Sequence, residues 1–80
     1  MKEKMPYPIL NYEATGQKIK QIMKEQNRTV SEIKEYLELE AVQGIYHWFR
    51  GRSMPTIDNL YALSKLFQVP IDEILCGEKK

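Results

Sequence analysis

The stretch VQGIYHWFRGRSMP, residues 42–55, sets the tightest limit on what this chain can fold into. Pro55 bars a helix from running through it, and Gly51, a residue tolerant of positive φ, ends one before it. The helix that forms here is short. At about 100° per residue it divides into two faces. Val42, Ile45, Trp48 and Phe49 share one side, and Gln43, Tyr46, His47 and Arg50 share the other. One side is built to be buried and the other is not.

The rest of the chain supplies what buries it. Pro6 and Pro8 resist helix, so residues 1–10 read as an N-terminal arm. Asn11 can cap a first helix, with Glu13 in its first turn. Ile19, Ile22, Met23 and either Tyr12 or Thr15 fall on one face of that helix, and EQN at 25–27 ends it. Thr29 or Ser31 can cap a second helix, and Thr29 followed by Glu32 forms a capping-box pattern. Val30, Ile33 and Leu37 make its apolar stripe, with Leu39 turning inward beyond it. After Pro55, Thr56 can cap a fourth helix, which has Asp58 in its first turn. Ile57, Leu60, Leu63 (or Tyr61), Leu66 and Phe67 form its apolar pattern. A last short helix lies in PIDEILC at 70–76, and a charged tail occupies 78–80.

Each predicted helix has a single apolar face, so only mutual burial satisfies all of them. The expectation is an all-α, compact five-helix bundle over residues 11–77. Its core is Ile19, Ile33, Ile45, Trp48, Leu60, Leu63 and Leu66. The second and third helices, joined across about four residues, form a helix-turn-helix candidate.

Composition narrows the function. A chain that is 42% hydrophobic and 29% charged is ordinary for a soluble globular domain. Cys76 is the lone cysteine, with no second thiol for a disulfide or a structural zinc, which points to a reducing cytoplasm. No apolar run approaches the roughly 20 residues needed to cross a membrane. His47 has no carboxylate or cysteine cluster at ligand spacing and no residue tied to it as a catalytic pair. The sequence therefore offers no metal, cofactor or catalytic site. The net charge of +1 is low for a nucleic-acid binder, but its distribution is uneven. Lys18, Lys20, Lys24 and Arg28 precede the acidic run Glu32, Glu35, Glu38 and Glu40, and Arg50 and Arg52 follow it.

The segments TGQKIKQIMKEQNRTVSEIKEYL and VQGIYHWFRGRSMPTIDNLYALSKLFQVPIDEIL resemble the helix-turn-helix family of phage repressors, Cro-like proteins and xenobiotic-response-type regulators. The resemblance rests on many features in order: Gly16 and Ile19, the short second helix, Trp48 with Gly51, the Pro55 break, and the VPIDEIL finish. It implies a lambda-repressor-like fold in which the second helix supports and the third enters the DNA major groove. Family members often carry glutamine at the first position of the second helix, where this reading puts Ser31. The LELEA turn is also one residue longer than in the most common members.

The resemblance implies a DNA-binding set of Thr29, Ser31, Gln43, Gly44, Tyr46, His47, Arg50, Arg52 and Ser53. Gln43 can pair in bidentate fashion with adenine. His47 can donate to a phosphate or base edge, and Tyr46 can offer its hydroxyl to a phosphate. Gly44 costs the helix about 1 kcal/mol relative to alanine, which suggests close approach of the second helix or of DNA. Arg50, Arg52 and Ser53 can grip the backbone beyond the third helix, and Thr29 and Ser31 can do so at the start of the second. A positive stripe joining Lys18, Arg28, Arg50 and Arg52 would favour DNA. Phe49 is open between packing on Tyr7–Leu10 and contacting a second subunit.

Two functions stay open. One is a sequence-specific double-stranded DNA-binding regulator, expected as a cytoplasmic homodimer. The other is a protein-interaction module, antitoxin-like or binding another partner, that keeps the fold with weak or no DNA binding. The acidic second helix and the near-neutral charge speak for the second.

Overall fold

The computed structural model describes residues 7–77. Most of the arm expected over 1–10, and the tail at 78–80, lie outside the described residues. The element order is α1 (Tyr12–Glu25), α2 (Val30–Tyr36), α3 (Gln43–Phe49), α4 (Ile57–Phe67) and α5 (Ile71–Ile74).

Side chains start three of these helices. Asn11 Oδ1 accepts from the Ala14 N–H at 2.9 Å at the head of α1. Thr29 and Glu32 complete the reciprocal capping box of α2, with both bonds at 3.0 Å. Thr56 Oγ1 accepts from the Asn59 N–H at 3.2 Å at the head of α4.

The first three helices also end alike. After each, one residue takes positive φ: Asn27 (58°), Glu38 (56°) and Gly51 (73°). The following N–H then reaches back to a carbonyl in the last turn: Arg28 to Met23 (2.8 Å), Leu39 to Lys34 (2.9 Å) and Arg52 to His47 (2.9 Å). This closure satisfies carbonyls that would otherwise be orphaned and reverses the chain sharply. It draws Leu39 back onto the core, as its sequence position suggested.

The core gathers Ile19, Ile22 and Met23 of α1, Ile33 of α2, Ile45, Trp48 and Phe49 of α3, Leu63 and Phe67 of α4, and Ile74 of α5. Five of the expected core residues (Ile19, Ile33, Ile45, Trp48 and Leu63) are buried there, while Leu60 and Leu66 pack at its rim. Thr15, not Tyr12, is the further buried residue of α1. Among the described residues, no buried side-chain nitrogen or oxygen lacks a hydrogen-bond partner.

Three expectations need correction. Ile57 fits the apolar period of α4 but is 83% exposed, because the first turn of α4 extends past the packed layer. The connection between α2 and α3 covers residues 37–42, longer than the four or so expected, because α2 stops at Tyr36. Phe49 is buried, and its surroundings are α1 and its own helix. Lys20 Nζ lies 5.7 Å from its ring centroid and Tyr46 meets it edge-on at 5.8 Å.

The tightest packing is between α1 and α3. A Cβ placed on Gly16 would lie 1.6 Å from the Trp48 carbonyl oxygen and 3.1 Å from the Phe49 Cα. One residue on, Gln17 Nε2 donates to the Phe49 carbonyl at 2.8 Å. At Gly51, a Cβ would meet the Glu13 backbone at 2.8 Å. The two chain ends of the domain are joined as well. Leu10 forms an isolated antiparallel bridge with Gly77, and the Asn11 N–H donates to the Cys76 carbonyl at 2.8 Å. The Cys76 N–H in turn donates to the buried Thr15 hydroxyl at 2.9 Å.

Two substitutions test this packing by chemical denaturation. Leu63→Ala empties a fully buried site and is expected to cost about 2–5 kcal/mol. Gly16→Ala adds one methyl group yet forces α1 off α3, and is expected to cost about 3 kcal/mol or more.

Candidate nucleic-acid interface

The inner face of α3 is clamped onto α1, so its outer face is what the domain presents. Gln43 opens the helix and is exposed, as are Tyr46 and Arg50, while His47 is half-buried. These four recur every three or four residues, which aligns them along one side of the helix. Arg52 is exposed and Ser53 half-buried beyond the Gly51 turn. Of the nine residues singled out from the sequence, Gln43, Tyr46, His47 and Arg50 share the outer side of α3, Gly44 lies within the helix, and Arg52 and Ser53 follow its end.

The other two, Thr29 and Ser31, are exposed at the start of α2. Here the register differs from the sequence reading. Thr29 is the cap, so the first helical residue is Val30 and Ser31 is the second. The position where the family often carries glutamine therefore holds an apolar, half-buried side chain. The capping box decides this register, because its Thr-to-Glu spacing leaves Thr29 as the only cap that Glu32 can reciprocate. The same box sets the Glu32 carboxylate at the head of α2, where it lies 3.7 Å from Arg28.

Gly44 also departs from one of the two explanations offered for it. A Cβ at this position would meet nothing within 4 Å. The second helix therefore does not require a glycine here, and the space above Gly44 is open to solvent.

A groove of about 660 Å³ runs between α1, the start of α2 and α3. Its polar lining is Gln17, Lys20, Lys24, Arg28, Tyr46 and Arg50, over an apolar floor of Met23, Val30 and Phe49. Arg28 and Arg50 of the expected positive stripe are here. Lys18 is not among the lining residues; Lys20 and Lys24 are the lysines that α1 contributes. The sequence held the signal, since Gln17, Lys20 and Lys24 share a helix face by spacing. Only the packing of α1 on α3 shows which of its polar faces borders the outer side of α3.

A family model described as helix-turn-helix matches residues 19–74 of the chain. The chain is 33% identical over 64 residues to the HTH-type transcriptional activator BcrR of Enterococcus faecalis, an alignment covering 80% of this chain and 31% of that protein. It thus spans about a third of the length of that relative. Among solved structures, the DNA-binding domain of BldD superposes with a TM-score of 0.67 at 21% identity, covering 82% of this chain and 94% of that one. The S. venezulae BldD DNA-binding domain gives the same TM-score and identity, with 82% and 97% covered. At that identity the likeness is one of fold.

The open space above Gly44 yields an expected outcome. Gly44→Ala should stabilise the isolated domain by about 0.5–1 kcal/mol, since it lowers the conformational freedom of the unfolded chain and meets no neighbour. Thermal or chemical unfolding of the variant measures this directly.

Proposed function

The chain belongs to the helix-turn-helix family, and on that premise we propose that it binds double-stranded DNA sequence-specifically, as the DNA-recognising part of a transcription regulator, with α3 in the major groove. The observation that carries this reading is the division of α3. Ile45, Trp48 and Phe49 are buried on the side that meets α1, which leaves exposed Gln43 and Arg50 and half-buried His47 on the opposite face. A helix so anchored can enter a groove without being reordered, which keeps the entropic cost of binding low.

Within this reading Gln43, first in α3, pairs with a base edge, and the open space over Gly44 lets base or sugar atoms come close. His47 supplies a second contact one turn on. Arg50, Arg52 and Ser53 hold phosphates beyond the helix, and Thr29 and Ser31 hold them at the head of α2. A seven-residue α3 makes few base contacts. Specific interfaces bury at least roughly 1,000 Å² of protein surface, so the working species is a cytoplasmic homodimer on a two-fold site.

One observation favours the alternative, a protein-interaction module. Glu32 sets a carboxylate at the head of α2, beside the apolar Val30, where phosphate would otherwise lie.

Selection of sites from a random duplex pool, followed by titration of variants, decides between the two readings. Gln43→Ala is expected to cost about 1–3 kcal/mol on the selected site and to relax preference at one position. Arg52→Ala is expected to weaken selected and scrambled duplexes alike, lowering the salt slope by about 0.9. Equal, sequence-blind losses in both variants would remove Gln43 as a reader. A wild-type protein that binds no duplex even at low salt would leave the interaction module.

A further inference from the structure

The geometry points to a small-molecule site in the groove between α1 and α3, one that takes an organic anion: a carboxylate carried on an acyl chain or an aromatic ring. An occupied groove withholds Tyr46 and Arg50 from DNA, so the ligand acts as a releasing effector. The releasing effect rests on the DNA-binding reading; the site itself does not.

Two properties coincide in this groove. Its lining carries four cationic side chains, Lys20, Lys24, Arg28 and Arg50, and no carboxylate. Arg28 is partly neutralised by Glu32 at 3.7 Å and tied to the Leu66 carbonyl at 3.4 Å. Lys20, Lys24 and Arg50 form no ion pair among the described residues. Like charges gathered without counter-charges repel one another, and a bound anion relieves that repulsion. The floor, in contrast, is apolar: Met23, Val30 and Phe49. Val30 is a departure of this chain, since it stands where the family often carries glutamine. A sugar-phosphate backbone is charged and hydrated along its length and gains nothing from such a floor. An anion with an apolar body uses both parts, because the cations meet its charge and the floor takes its body out of water.

The dimensions suit a small ligand. The volume of about 660 Å³ falls within the range of small-molecule sites, roughly 300–1,000 Å³. The Lys20 ammonium lies over the Phe49 ring at 5.7 Å, so a carboxylate paired with Lys20 has its apolar body beside that ring. Tyr46 meets Phe49 edge-on at 5.8 Å and extends the aromatic surface, and half-buried Val30 adds an aliphatic one. Tyr46 and Arg50 line the groove and also belong to the outer side of α3. Ligand and duplex therefore compete for the same two side chains.

Amide chemical shifts of the isotope-labelled chain test the site without DNA. The probes are octanoate and naphthoate, with acetate for the charge alone and octanol for the apolar body alone. Octanoate or naphthoate is expected to shift the amides of Lys20, Lys24, Val30 and Tyr46 first, and to bind at least about tenfold more tightly than acetate or octanol. Lys24→Gln and Val30→Gln are each expected to weaken that binding about threefold. Lys65→Gln is the control and is expected to change nothing, since its ammonium lies over Tyr61 of α4 and outside the groove. The same spectra report whether each variant is folded, and Lys24, whose side chain is exposed, keeps the test valid if Val30→Gln folds poorly. Acetate binding as tightly as octanoate would mean an adventitious ion only and overturns the proposal. Octanol binding as tightly, shifts spread equally over α4 and α5, or a loss in Lys65→Gln equal to that in Lys24→Gln does the same. No shift with either carboxylate also overturns it and leaves the DNA-binding reading standing. In a second titration, added octanoate or naphthoate is expected to raise the apparent Kd for the selected duplex in step with groove occupancy. An unchanged Kd at saturation overturns the releasing effect. A wild type that binds the carboxylate and no duplex keeps the site and removes the DNA-binding reading.

Discussion

The backbone contact of Gly16 with the end of α3 is the interaction on which the rest of this small domain depends. With no side chain at Gly16, α1 lies directly against the Trp48 carbonyl, and no other residue type leaves that space. Gln17 then bonds the next carbonyl, Phe49, and Gly51 lets the chain turn against Glu13. Three successive features thus seat the last turn of α3 on the first half of α1. Ile45, Trp48 and Phe49 are buried as a consequence, and the opposite side of α3 is presented with a fixed orientation. Interior packing leaves little room for a shift, so the outer strip inherits the rigidity of the packing beneath it.

Helices of seven residues, as α2 and α3 are, do not persist alone in water. Here their ends are satisfied as carefully as their faces. A reciprocal box opens α2, and the same type of left-handed closure ends α1, α2 and α3. Each closure also aims the following segment: Arg28 leads into the cap of α2, Leu39 returns to the core, and Arg52 leaves the strip beside α3. The terminal bonds between Asn11, Thr15 and Cys76 serve the same end for the domain as a whole, tying the start of α1 to the segment after α5.

Charge follows this architecture more than it follows the total. An acidic run extends from α2 into the connection after it (Glu32, Glu35, Glu38 and Glu40), and Glu32 is used to cap the helix and to hold Arg28. Lys20 and Lys24 of α1 collect beside Arg50 because α1 lies against α3. A neutral sum can therefore conceal a locally cationic groove, and for binding to a polyanion the local field matters more than the sum.

Much of this was legible in the residues. Caps at Asn11, Thr29 and Thr56, the stop at Gly51, and the division of α3 into an apolar and a polar side all follow from local chemistry and helical period, and each is found in the fold. The outer side of α3, with Gln43, Tyr46, His47 and Arg50, was legible for the same reason. What local pattern could not decide was which surfaces meet. Ile57 has the right period and remains in solvent, because period marks a face without saying how far a partner extends along it. Phe49 found its neighbours, Gly44 its open surroundings, and Lys20 and Lys24 their place beside Arg50 only when α1 and α3 came together. By itself the sequence determined the helices, their ends and their apolar sides, since those depend on residues within a few positions of each other. The tertiary structure alone decided the partners of those sides and the shape of the groove, since these depend on distances between residues remote along the chain.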